Sequence, residues 1–228
     1  RVRPLSNSVG FLPKSNTCKR TYKGSTNKGV NMRNYKELLL SLILGAGLGV
    51  LAKYLDTIPM IDHSFWHLLG NYLGDLFTRL GIWVLIATII AIKSKNLLQA
   101  ALNTLLFFAG MLTTYYIYSA YLFGFFPSSD LIFWGRFAIL SPLFGMLVYL
   151  AKHERKLRSI LPALPIGLMI YLSLSFGYIY LSVTYISEFI MLLFMVKIFY
   201  HKPKQVGIVL SLAMVVALLL KEYSPIAF

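Results

Sequence analysis

The chain has 228 residues, of which 57% are hydrophobic and only 13% charged, against roughly 45 to 50% and 25% in a soluble domain. So much apolar side chain excludes an ordinary water-soluble domain and calls for lipid. The formal net charge of +14 does not indicate a nucleic-acid partner: nine of the 22 Lys and Arg fall in the first 36 residues, and most others end hydrophobic runs, where they act as orientation signals and lipid-head contacts.

Residues 1–31 are basic, polar and without hydrophobic periodicity, and are expected to be disordered. Met32, followed by Arg33, Asn34 and Lys36, has the look of a natural start, so 1–31 reads as an upstream extension. Cys18, the single cysteine, lies in this leader, so neither an intrachain disulfide nor a thiolate metal cluster can form. Residues 32–228 read as one transmembrane helical domain.

About 20 apolar residues of helix cross a bilayer. The first such run is 35–55, where Gly45 and Gly49 form a small-xxx-small pair that admits a close helix neighbour. From 56 to 73 the composition is mixed, with Pro59 as breaker and Trp66 and Tyr72 as interface residues, which predicts a short amphipathic helix along the membrane surface. The second span is 74–92. Asn96 can cap the third, 97–123, and Ser128, Ser129 and Asp130 precede the fourth, 131–151. Residues 160–200 make about 60 Å of helix, twice the bilayer core, and so read as two spans with a turn near 175–178. The last run, 206–220, is short but bracketed by Lys204 and Lys221.

The prediction is an all-α polytopic transmembrane bundle of about seven spans, or six if the last run does not cross, with a short interfacial helix between the first two. Charge orients it. The leader, Lys93, Lys95, the 152–158 run, Lys197, Lys202 and Lys204 fall on one side, which the positive-inside rule makes cytoplasmic, with the N-terminus there. The expected location is the cell membrane.

Ionisable residues within spans are costly and mark function or helix bridging. Asp75 and Arg79 stand four apart on one helix face, Arg136 lies about 9 Å along its helix from Asp130, and Glu188 sits within the sixth span with Tyr185 on its face. Tyr115, Tyr116, Tyr118 and Tyr121 crowd the outer end of the third span, with Trp83 and Trp134 at related depths. Asp75, Arg79, Tyr115, Tyr116, Trp134, Arg136, Tyr185 and Glu188 are the candidate ligand-binding set, lining an outward pocket, with Glu188 paired to Arg136 or Arg79. Plainer roles exist for most: Asp75 and Arg79 neutralising each other, Arg79 snorkelling, Asp130 capping, the rings forming an interface belt.

His63 and His67, four apart, could face one metal with Asp62 or Asp56, but no glutamate follows His63 as in zinc proteases. A surface-helix role fits them better, and no metal or cofactor is expected. Nucleophile elbows, phosphate loops and intramembrane catalytic pairs are absent, so no enzyme activity is predicted.

From about Met32 onward, the order GAGLGVLAKYLD, LGIWVLIATIIA, MLTTYYIYSAYLFG and FWGRFAILSPLFG resembles an uncharacterised family of small bacterial polytopic membrane proteins. That resemblance implies fold and location and no mechanism. In size and span number the chain also resembles the substrate-binding subunits of bacterial vitamin uptake systems, which dock on a membrane partner through small residues of the first helix. Gly45 and Gly49 could fill that role, although the alanine-based pattern is missing. The expected function is a small-molecule transport or ligand-binding membrane subunit. The alternative is a structural or regulatory membrane protein without a ligand, its charges and glycines serving helix packing.

Overall fold

A computed structural model describes residues 32–57, 65–125, 128–176, 181–183, 186–200 and 202–223. The expectations for the leader, for Asp62 and His63 and for Tyr185 fall outside these residues. The described elements are α1 (Met32–Asp56), α2 (Phe65–Thr78), α3 (Leu80–Lys93), α4 (Leu97–Phe123), α5 (Ser128–His153), α6 (Ala163–Ser173), β1 (Leu174–Phe176), β2 (Leu181–Val183), α7 (Ile186–Phe199) and α8 (Pro203–Tyr223).

Helices α1, α4, α5 and α8 are each long and apolar enough to cross a bilayer, and α2 with α3 adds a fifth crossing if the bent pair counts as one. Their outward faces are apolar: Ile139 is 75% exposed, and Leu40, Ile117 and Leu219 are also exposed. Side chains of this kind, left outside by the fold, belong in lipid.

The second and fifth to sixth runs depart from the expected straight spans. Instead of an interfacial helix to 73 followed by a span from 74, α2 runs through that boundary to Thr78 and the chain bends by 68° at Arg79. No proline stands at the break, and the glycines nearest to it are Gly74 and Gly81. The carbonyls that it frees find other donors: Thr78 Oγ1 donates to Asp75 O at 2.7 Å, Arg79 N to Leu76 O at 3.4 Å, and Trp83 Nε1 to Phe77 O at 2.9 Å.

Between α6 and α7 the expected turn near 175–178 is a two-stranded antiparallel hairpin, registered Leu174 with Val183 and Phe176 with Leu181. Helix α6, of 11 residues, and α7, of 14, are about 16 and 21 Å long, short of the roughly 30 Å core. One strand adds about 10 Å of contour to each limb.

Small residues set the helix spacings. Helices α1 and α4 run parallel, with Ser41, Gly45, Gly49 and Ala52 buried along the seam. A Cβ at Gly45 or Gly49 would overlap the backbone of Phe107 or Met111, and one at Gly110 would lie 2.6 Å from Leu42 O. Thr114 Oγ1 lies 2.8 Å from Ala46 O across the same seam. The Gly45 and Gly49 face, read from the sequence as a helix-packing seam or a place for a membrane partner, packs against α4 of the same chain. Gly145 brings α5 onto Ala100 and Thr104 of α4, and Gly167 brings α6 within reach of Ala213 and Val216 of α8. Inside α5, Pro142 cannot donate to Ala138 O, and Ser141 Oγ does so instead at 2.7 Å.

The bundle has two ends. At the near end, where α1 starts, Glu37 binds Lys95 and Gln99, Tyr149 donates to Lys95 O at 3.0 Å, Lys152 caps Ile198 O, and Gln205 donates to Arg158 O at 2.8 Å. Asn96 caps α4 as expected, accepting from Gln99 N at 2.8 Å. Asp56, Arg79, Phe123, Asp130 and Glu188 lie at the far end. A core of Ala91, Ala100, Val148, Ala151, Ala163 and Ile166 joins α3, α4, α5 and α6 in the near half. A second cluster, built on Trp83, Phe107, Met111 and Tyr116, packs α1, α3 and α4 in the far half.

Candidate functional site

Closed below by the near-half core, the helices leave a cavity of about 650 Å³ in the far half, between α3, α4, α5 and α6. That volume is in the range of small-molecule sites. Helix α3 forms its inner wall with Leu80, Trp83 and Val84; α4 contributes Met111, Tyr115 and Tyr116; α6 contributes Leu168, Tyr171 and Leu172. On α5 the residues Asp130, Trp134, Phe137, Ser141 and Phe144 line it, spaced by three or four so that they form one stripe. Phe123, Phe125, Phe137 and Leu140 line the cavity while remaining exposed, so it opens toward the far end and along the α5 side.

Most of the lining is aromatic or aliphatic, with polar groups gathered at the far rim. Lys53 is 6% exposed, bonded to Asp56 at 2.8 Å, and set over the rings of Tyr115 at 5.1 Å and Phe123 at 4.8 Å. Such rings attract a cation through their negative faces. Tyr115 OH donates to Asp56 at 3.4 Å, tying α4 to the end of α1.

Beside the cavity, the break between α2 and α3 carries a charge cluster. Arg79 binds Asp75 and reaches Glu188 Oε2 at 3.3 Å, while Ser187 Oγ donates to the same oxygen at 3.0 Å. Glu188 is 2% exposed and its Cγ would lie 3.0 Å from a Cβ at Gly81, so the glycine gives α7 room to bring the carboxylate close against the first turn of α3. Phe77, Thr78 and Leu80, flanking Arg79, line the cavity, and the break thus joins the cluster to it.

The predicted set divides three ways. Tyr115, Tyr116 and Trp134 line the cavity; Asp75, Arg79 and Glu188 form the cluster beside it. Glu188 pairs with Arg79, not with Arg136. Arg136 is exposed, on the face of α5 that carries the exposed Ile132, Ile139 and Leu143, and its long side chain can reach toward the far-end interface. Tyr185 lies outside the described residues. Among those residues no three His, Cys, Asp or Glu gather to hold a metal, with His63 and the His67 side chain not described. Lys53 and the stripe through Phe137 and Phe144 were missed; Lys53 was visible as a cation inside the first apolar run, three residues before Asp56.

No protein family, curated protein or solved structure matches the chain.

Proposed function

We propose that this protein is a membrane-embedded receptor or transport subunit for an amphipathic small molecule, held in the far-half cavity with its apolar body among the rings and its polar end at the rim. The cavity carries this reading: about 650 Å³ held open in a chain whose other helix contacts are drawn tight by glycine and alanine. Seven crossings follow if the bent pair α2–α3, the α6 limb and the α7 limb each span, with the hairpin at the far interface, where its outer edges meet water. The near end, carrying Lys93, Lys95, Lys152, Lys156, Lys202 and Lys204, is then cytoplasmic and the cavity faces outward.

Saturating ligand should raise the melting temperature of the purified protein in detergent by about 5 °C or more, the shift expected at roughly 100 times Kd. Leu140→Trp, at an exposed position on the open side, should abolish that shift while leaving the unliganded melting temperature in place. A panel of apolar amines, acids and neutral amphiphiles that shifts wild type and Leu140→Trp alike, or neither, would sink the reading and favour a ligand-free packing role.

A further inference from the structure

The cavity's charges are unevenly satisfied. Lys53 already has Asp56 at 2.8 Å and two aromatic faces, so its charge is answered within the protein. Asp130, in the first turn of α5, lines the same cavity and makes no ion pair among the described residues. Trp134, one turn further along α5, and Tyr115 and Tyr116 of α4 line it too. Arg136 is six residues from Asp130 and falls on a different face of the helix. What the site leaves without a side-chain counter-charge among the described residues is one carboxylate beside several π faces, and both of these favour positive charge. An anion would meet repulsion from each, and the cations described beside the cavity are already paired, Lys53 with Asp56 and Arg79 with Asp75 and Glu188.

Resting on the reading of the cavity as a binding site, we infer that its ligand is an organic cation with a bulky apolar body, its charge against Asp130 and among the rings of Tyr115, Tyr116 and Trp134. The apolar depth of the cavity takes the body, and the exposed rim lets the cation enter from the far end without crossing the core.

Tetraphenylphosphonium and tetraphenylborate test this, since they share a shape and differ in the sign of charge. In a Trp66→Phe background the remaining tryptophans, Trp83 and Trp134, both line the cavity, so quenching of their fluorescence reports occupancy. The phosphonium should quench saturably and bind at least about ten-fold more tightly than the borate. Asp130→Asn should weaken it by about ten-fold, between the effects of an exposed and a buried charge pair. Asp130→Glu should restore it, and the exposed position lets both Asp130 variants keep the melting temperature of the Trp66→Phe parent. Equal binding of both ions, or an unchanged affinity in Asp130→Asn, would overturn the cation assignment and leave the binding-site reading standing; no saturable quench by either would overturn both.

Discussion

Glu188 is the most deeply buried carboxylate described, and its tolerance depends on Arg79. Breaking a buried pair leaves an uncompensated charge in a low-dielectric site, whereas replacing both members with apolar groups removes the desolvation cost as well. Arg79→Ala should therefore cost about 3 kcal/mol. Asp75→Ala should cost under about 1 kcal/mol, because Asp75 is 56% exposed at its side chain and pairs with the same guanidinium from the solvent side. The double variant Arg79→Met with Glu188→Met should recover most of the loss. Denaturation of the four proteins in one detergent checks the set, and a double variant no more stable than Arg79→Ala would show that the pair also holds the break in place. The Asp75–Arg79 pairing was legible from a four-residue spacing. Which arginine answers Glu188 was not, because that depends on a break in the second span that no proline announces. The fate of Arg136 was within reach: Ile132, Ile139 and Leu143 flank it at helical spacing, and a stripe so apolar faces lipid.

At the scale of elements, the glycines discriminate sharply between seams and open faces. Gly45 and Gly49 meet α4 backbone, which cannot step aside, while Gly47, between them, has nothing within 4 Å. Gly45→Ala and Gly49→Ala should each destabilise by about 1–3 kcal/mol or more through overpacking, and Gly47→Ala should be neutral or slightly stabilising, as a helix position gains from losing glycine. Thermal unfolding of the three variants checks this; equal losses at all three would mean that helix propensity, not the seam, sets the cost. The small-xxx-small pair was readable in the sequence, but its partner was not, since spacing shows that a neighbour comes close without naming it. The hairpin was hidden for a different reason. LSF and LSV alternate as strands do, yet inside 40 apolar residues three-residue strands are outweighed by helical length, and only the pairing of one with the other selects them.

For the whole molecule, the direction of each helix follows from contacts that charge patterning did not use. Parallel α1 and α4, antiparallel α4 and α5, and parallel α6 and α8 all agree with crossings that alternate, and they put the two best-capped loops, 94–96 and 154–162, at one end. That end also holds most of the cations outside the leader, which is why the proposed orientation makes it the cytoplasmic one. The consequence can be measured with single cysteines in a Cys18→Ser background. Lys156→Cys, in the near-end loop, should be blocked from a membrane-impermeant maleimide in intact cells and labelled in inverted vesicles, whereas Tyr121→Cys, at an 83% exposed position near the cavity rim, should show the reverse. If Tyr121→Cys labels only from inside, the cavity opens to the cytoplasm and any ligand must be one that the cell itself supplies. If both sites label from the same side, an odd number of the assigned crossings between them fails. In that case the break at Arg79 cannot be blamed, because α5 is the one assigned crossing between the two positions.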